Sequence, residues 1–202
     1  MGLTKIAVLC SGGGTNFQAL INSWKAGDFE NAEISLLIVS RKGIQAIERA
    51  AAHDIPVIVI RRKDFETIEA YDENFCTLLK QYEIDLVVTA GFLQILGPQT
   101  LAAYENRIIN VHPSLIPSFC GMGFYGLKVH QAALEYGVKV TGATVHLVNH
   151  VVDGGRILLQ KAVEVQEGDT PESLQRRVME EAEWVILPKA VAMYCKKGDF
   201  AE

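Results

Sequence analysis

Short apolar runs recur through the first half of the chain, at Lys5 to Cys10, Ile34 to Val39, Pro56 to Ile60 and Ile84 to Thr89, with a further one at Arg107 to Asn110. They do not alternate polar with apolar, as strands wetted on one face do; uninterrupted apolar runs mark strands covered on both faces. Between them the apolar positions switch to helical spacing over Asn16 to Lys25, Gln45 to Ala52 and Tyr71 to Tyr82. Such alternation predicts an α/β fold with a Rossmann-like, mostly parallel central sheet and helices on both faces.

The second half reads differently. A long stretch through Met122-Gly123 has no clear period, and Tyr125 to Tyr136 then reads as a helix with Val129, Ala132, Ala133 and Tyr136 as its apolar stripe. Thr144 to Val148 and Arg156 to Val165 read as strands joined by Asn149 to Gly155, predicting antiparallel additions to the sheet. Asp169-Thr170-Pro171-Glu172 opens the last helix, with Thr170 as N-cap and Pro171 in the first turn. Leu174, Val178, Val185 and Leu187 are expected on its buried face. No repeat or linker interrupts the sequence, so a single domain over residues 1–202 is expected.

Composition narrows the chemistry. The 202 residues carry 24 acidic and 19 basic side chains, a net charge of -5, which gives no general attraction to a nucleic-acid backbone. Lys42, Arg61, Arg62 and Lys63 form only small basic clusters. Cys10, Cys76, Cys120 and Cys195 are scattered without a CxxC pair or a disulfide rhythm, pointing to a reducing compartment. Met1 to Lys5 leads into the first strand without a signal-peptide core, and no window is long and apolar enough to span a membrane. The expectation is a cytoplasmic protein acting on small molecules, with neither nucleic acid nor membrane as partner.

Ser11-Gly12-Gly13-Gly14-Thr15-Asn16 lies between the first strand and the first helix. It departs from a P-loop, which would continue into Gly-Lys-Ser/Thr, and Phe17 stands where the dinucleotide fingerprint has its third glycine. Two readings stay open: a tight strand-to-helix turn capped by Thr15 or Asn16, or a cradle for a compact phosphate monoester. Three consecutive glycines exceed what a turn alone needs, which favours the phosphate.

The segment Ile109-Asn110-Val111-His112-Pro113-Ser114-Leu115-Ile116-Pro117 holds the strongest chemical signal. Asn110 and His112 are two apart, so an extended backbone turns both to one side, and the prolines discourage further strand. An amide and an imidazolium together can stabilise oxygen charge at a carbonyl under attack, while the imidazole can pass a proton. Each also reads as an ordinary hydrogen-bonded residue. Asp153, in Val152-Asp153-Gly154-Gly155, either caps a turn or supplies the missing acid or base; beside His112 it would favour the protonated ring.

Metal and covalent chemistry are weaker. His53, His112, His130, His146 and His150 lack metal-ligand spacing, and no metal is expected. His146 alternates with Thr144 and Val148, so it faces either a site or the sheet packing; His53 and His130 read as helix-surface or helix-end residues. Ser114 has no evident base, Ser11 is not in a Gly-x-Ser-x-Gly elbow, and Cys10 reads as a buried thiol. Direct transfer without an acyl-enzyme is preferred.

In order and separation, Ser11 to Asn16, Ala90-Gly91-Phe92-Leu93-Gln94-Ile95-Leu96, Asn110 to Pro117, Thr141-Gly142-Ala143-Thr144-Val145-His146 and Asp153-Gly154-Gly155 together resemble the folate-dependent formyltransferases. The resemblance covers nearly the whole chain, and Asn-x-His-Pro-Ser-Leu with the downstream Asp is its specific part. It implies 10-formyltetrahydrofolate as cosubstrate and a phosphorylated amine, 5-phosphoribosylglycinamide, as acceptor in purine biosynthesis. Asn110, His112 and Asp153 would then be catalytic, and Gly12, Gly13, Gly14, Thr15 and Asn16 would hold the phosphate. Glu183 would contact the acceptor. Leu93, Gln94, Ile95 and Leu96, with Val148, Asn149, His150, Val151, Val152 and Asp153, would border the folate, and His146 and Ser114 would support the trio. On this reading residues 1–100 form a phosphate-binding half and 101–202 a catalytic and folate-binding half, in a monomer or homodimer.

Three positions depart from the family pattern: Gln94 for arginine in the Gly-Phe-Met-Arg-Ile-Leu segment, Trp184 for histidine, and Cys120 with Met122 in the loop after the catalytic strand. None removes a member of the trio. The alternatives are a 10-formyltetrahydrofolate deformylase, which typically carries an extra N-terminal domain, and a non-catalytic phosphate-binding module, which leaves the trio unused.

Overall fold

The structure, a computed structural model, describes residues 2–200; Met1, Ala201 and Glu202, at the ends of the expected domain, lie outside them. Its backbone divides into two compact units, one formed by residues up to Ile109 together with those from Ala192 onward, the other by Asn110–Val191. Seven strands hydrogen-bond in the order β3-β2-β1-β4-β5-β6-β7.

The first unit holds β1 (Thr4–Cys10), α1 (Thr15–Ala26), β2 (Ala32–Val39), α2 (Gln45–Ala51), β3 (Val57–Val59), α3 (Ile68–Gln81), β4 (Leu86–Thr89) and α4 (Pro98–Ala103). β1 pairs in parallel with β2 and β4, and β2 with β3. Ala7, Val8, Leu9, Leu36, Leu37, Ile38, Val87 and Val88 are wholly buried, as uninterrupted apolar runs require of strands covered on both faces. Strand order reverses between β1 and β4. Open α/β sheets bind ligands outside the carboxyl ends of strands at such a switch point, and the loops following these two strands meet there: Ser11 N–H donates to the Gly91 carbonyl at 3.0 Å and Leu93 N–H to Ser11 Oγ at 3.0 Å.

α4 has no signature in the apolar pattern. It is six residues long and is capped from a distance: buried Asp72, on α3, accepts the backbone N–H groups of Gln99 at 2.7 Å and Thr100 at 3.1 Å, together with the Thr100 hydroxyl. A carboxylate at a helix N-terminus satisfies orphan donors that the helix cannot bond itself.

β5 (Ile108–His112) carries the boundary between the units. The second unit contains α5 (Leu127–Tyr136), β6 (Val140–Leu147), β7 (Ile157–Glu164), α6 (Pro171–Val178) and a π-helical turn (Met179–Glu183) that leads into α7 (Trp184–Lys197). β6 and β7 pair antiparallel, with a register shift between Val145 and His146. Thr170 caps α6 as expected, in a reciprocal capping box with Ser173. The buried face of the last helix is corrected: Val185 is 45% exposed, while Ala182, Glu183 and Ile186 are buried. The π turn is the cause, since its extra residue rotates everything downstream about the helix axis.

α5 is corrected as well. Val129 and Ala133 are buried, but Tyr136 is 81% exposed and His130, expected at a helix surface or helix end, is wholly buried. The helix is turned so that the imidazole occupies the inner stripe. Burial, with His112 adding to it, pushes the His130 ring down to about 4, so it is neutral at physiological pH.

Replacing Asp72 by Ala strands the α4 donors in a buried setting, so a loss of about 3 kcal/mol of unfolding free energy is expected. The urea unfolding midpoint measures it.

Candidate active site

β5 turns Ile109 and Val111 into the core and Asn110 and His112 the other way, as a two-residue period demands. The register shift between β6 and β7 falls at His146, and such irregularities re-aim side chains beside functional sites. Asp153 completes the cluster. Its Oδ2 lies 3.6 Å from His112 Nδ1 and its Oδ1 3.6 Å from His146 Nε2, while Asn110 Nδ2 is 3.1 Å from the same His146 nitrogen.

Backbone carbonyls decide where the protons sit. A carbonyl only accepts, so His112 Nε2, 2.9 Å from the Phe119 carbonyl, carries a hydrogen, as does His146 Nδ1, 2.8 Å from the Leu147 carbonyl. In the neutral rings the lone pairs therefore lie on His112 Nδ1 and His146 Nε2. Both face one carboxylate, and the Asn110 amide donates to His146 Nε2.

Burial governs the charge on His112. With its side chain 5% exposed, desolvation pushes its pKa below the usual 6.5, outweighing the Phe119 carbonyl and Asp153, which raise it. Asp153 favours the protonated ring, as expected of a carboxylate beside it, but desolvation outweighs that pull. Asp153 shows the opposite balance. Burial pushes its pKa up, but a hydrogen bond from the protonated form of His146, the Gly121 N–H at 2.8 Å and the charge the two imidazoles carry when protonated hold it below the usual carboxylate range.

The loop carrying Asp153 is tightly specified. Asp153 itself adopts a left-handed conformation, φ 55°, which Asp tolerates better than most residues. Asn149 Oδ1 accepts the Val151 N–H at 2.9 Å, and Val151 carbonyl accepts that of Gly154 at 3.0 Å. Gly155 packs so closely that a Cβ would stand 1.8 Å from the Leu147 carbonyl oxygen. Buried Ser114 does not touch the trio. Its hydroxyl donates to the Ser118 carbonyl at 2.6 Å and its own carbonyl accepts from Thr144 Oγ1 at 2.7 Å, which ties the segment after β5 to β6.

In the first unit the glycine loop has a different logic. Gly14 is needed by the fold itself: it is left-handed at φ 71°, and a Cβ there would meet the Ala46 methyl at 2.8 Å. A Cβ on Gly12 would meet nothing within 4 Å, and one on Gly13 only the Gln45 side chain at 3.6 Å. Packing therefore does not account for Gly12 and Gly13, which leave the backbone there open to close approach. Two arginines absent from the sequence reading orient the loop: Arg41 Nε donates to the Ser11 carbonyl at 2.8 Å and Arg49 Nε to the Gly13 carbonyl at 2.9 Å. Across a trans peptide the next N–H points the opposite way, so the Gly12 and Gly14 amides face away from these guanidiniums. Amides so directed, ahead of the α1 N-terminus, suit an anion.

Leu93 and Ile95 are exposed and Leu96 is buried, while the Tyr71 hydroxyl donates to Gln94 Oε1 at 2.6 Å. Val148 is half-buried, and Asn149, His150, Val151 and Val152 are exposed. Glu183 is buried in the π turn. Among the described residues no three His, Cys, Asp or Glu side chains converge so as to hold a metal ion, and no helix is long and apolar enough to cross a membrane.

A doubly wound sheet, an anion-suited glycine loop and a carboxylate-histidine-amide cluster drawn from β5, β6 and the Asp153 loop define a class of small-molecule group-transfer enzymes. The chain belongs to the formyl transferase family, whose model matches residues 4–191. It is similar to the chloroplastic phosphoribosylglycinamide formyltransferase of Arabidopsis thaliana, 38% identical over 194 residues, covering 96% of this chain and 66% of that protein. It is also 41% identical over 189 residues to the trifunctional purine biosynthetic protein adenosine-3 of Gallus gallus, covering 94% of this chain and 18% of that protein. The chain thus spans about two thirds of the plant relative's length and under a fifth of the chicken one's. The crystal structure of glycinamide ribonucleotide transformylase 1 from Symbiobacterium toebii superimposes with a TM-score of 0.91 at 37% identity, covering 99% of this chain and 91% of that one.

Substituting Gly155 by Ala forces the loop away from Leu147. A loss of activity of at least about tenfold is expected, given the cost of misplacing a reacting group, while circular dichroism retains the wild-type secondary structure.

Proposed function

We propose that the chain transfers the formyl group of 10-formyltetrahydrofolate to the amine of 5-phosphoribosylglycinamide, a step of purine biosynthesis. The observation that carries this reading is Asp153 held between two imidazoles, each with a ring nitrogen 3.6 Å from it, with Asn110 on one of them. Family membership supports the reaction class, and the names of the relatives support the acceptor.

The acceptor's amine attacks the formyl carbon, forming the new C–N bond and a tetrahedral intermediate. The Asn110 amide donates to the developing oxyanion. Neutral His112 accepts the ammonium proton at Nδ1, directly or through water, and Asp153 stabilises the imidazolium that results. Collapse breaks the bond from carbon to folate N10, and the proton passes from His112 to N10. His146 and Gly121 hold Asp153 in place, and Ser114 anchors the segment behind His112. We assign the acceptor's phosphate to Gly12, Gly13, Gly14, Thr15 and Asn16, and further acceptor contacts to Glu183. The folate is assigned to the exposed apolar side chains around Leu93 to Leu96 and around Val148 to Val152. The roles of these residues require no metal. Four unpaired cysteines fit a reducing cytoplasmic setting.

The test is an amine-dependent assay with 10-formyltetrahydrofolate and phosphoribosylglycinamide, run beside a water-only control and the phosphate-free riboside. Formylated product is expected only with the amine, and far less of it without the phosphate. Equal folate release in water alone would establish a deformylase instead. No turnover with any acceptor would leave a binding module.

Acidification protonates His112 as pH falls through its lowered pKa, removing the proton acceptor. The acid limb of kcat/KM should therefore have its midpoint below 6.5, the ordinary histidine value. Asp153→Asn keeps a side chain that tolerates the left-handed backbone but removes the charge that raises the His112 pKa. A fall in kcat of about 100- to 10,000-fold is expected, with any residual acid limb moved to still lower pH.

A further inference from the structure

Six non-glycine residues adopt positive φ among those described: Asn31, Asp54, Glu83, Asn106, Phe119 and Asp153. Asn and Asp enter this region readily, because their short polar side chains bond locally, but a bulky aromatic does not. Phe119, at φ 49°, is the aromatic exception. Its carbonyl is the one that receives the His112 Nε2 hydrogen, at 2.9 Å. Both partners of the His112 ring thus come from left-handed residues, Phe119 on one nitrogen and Asp153 on the other.

The backbone around Phe119 is held from several directions. Ser114 Oγ donates to the Ser118 carbonyl at 2.6 Å, and Ser118 N–H donates to the Leu115 carbonyl at 3.0 Å. The Phe119 ring lies edge-on to Phe124, with centroids 6.4 Å apart, and to Tyr136 on α5, 5.9 Å away. Tyr136 is otherwise exposed, so the contact with Phe119 gives this aromatic at the end of α5 a packing partner. Strain of this kind persists only where the surroundings over-determine it, and it gathers where geometry matters for function.

We propose that Phe119 is a positioning residue for formyl transfer: its ring, wedged against Phe124 and Tyr136, keeps its left-handed carbonyl on His112 Nε2. This rests on the reaction proposed above. With Nε2 committed to donating, the lone pair of the neutral imidazole stays on Nδ1, the atom that faces Asp153. Without the carbonyl the ring is free to turn and to exchange tautomers, so Nδ1 is presented in only part of the population. The residue touches no substrate in this account. It acts through the orientation of His112, and its loss should appear in kcat more than in substrate binding.

The test compares Phe119→Ala, Phe119→Gly and Phe119→Tyr with Asp153→Asn. Glycine accepts the backbone conformation without strain, so Phe119→Gly folds even where Phe119→Ala does not, and it isolates loss of the ring. Both Phe119→Ala and Phe119→Gly should lower kcat by about ten- to a hundredfold, with KM for either substrate within about twofold of wild type. The acid limb should move to lower pH, because the carbonyl bond supports the protonated ring. Phe119→Tyr, which keeps the ring, should restore wild-type kcat and profile. Unchanged kcat and an unmoved acid limb in Phe119→Gly, alongside a disabled Asp153→Asn, would overturn the role of Phe119 and leave the reaction standing. Wild-type turnover in Asp153→Asn would instead remove the reaction scheme on which the inference rests.

Discussion

Placing one carboxylate between two buried imidazoles sets the terms for the second unit. Asp153 is 10% exposed, and His112 and His146 are 5% and 2% exposed, so none of the three is solvated enough for its partners to be optional. An isolated carboxylate in such a setting would neutralise itself; here the Gly121 N–H, and the imidazoles when protonated, hold its pKa below the usual carboxylate range. The local architecture follows from that demand. A register shift aims His146, the Phe119 carbonyl fixes His112, and Gly155 lets the Asp153 loop pass against Leu147. Thr144, which accepts from Ile116 N–H and donates to the Ser114 carbonyl, fastens the segment between them.

On the proposed reading the first unit has a different task, the binding of an anion without a lysine in the loop. Arg41 and Arg49 serve it indirectly, by taking the loop's carbonyls and leaving its amides turned outward. Such a site offers hydrogen-bond donors of fixed direction, which suits a compact phosphate better than a diffuse cationic patch does.

Much of this was legible in the residues. Apolar runs without alternation located the parallel strands, and the two-residue period put Asn110 and His112 on one side of β5. Glycines around Asp153 marked a special turn. What escaped depended on long-range contacts: α4 is capped by Asp72 from 27 positions earlier, and the π turn that exposes Val185 leaves the apolar spacing of Leu174 and Val178 undisturbed. His130 reads as a helix-surface or helix-end residue, yet it fills the inner stripe of α5. Phe119 carried no signal at all, since an aromatic residue is among the least expected in a left-handed turn. Arg41 and Arg49 gave no signal in the sequence, because their role depends on loop carbonyls that only the fold brings to them. For His112 the partner was legible but the depth of burial, which lowers its pKa, was not.

The central claim is that burial holds His112 neutral against the pull of its partners, while the Phe119 carbonyl keeps its lone pair on Nδ1, toward Asp153. A pH titration of the 15N-labelled imidazole by NMR, with His112 assigned by substitution, measures both features at once. The account predicts the Nε2–H tautomer and a midpoint below 6.5 in the unliganded protein. An Nδ1–H tautomer, or a midpoint at or above 6.5, would contradict it.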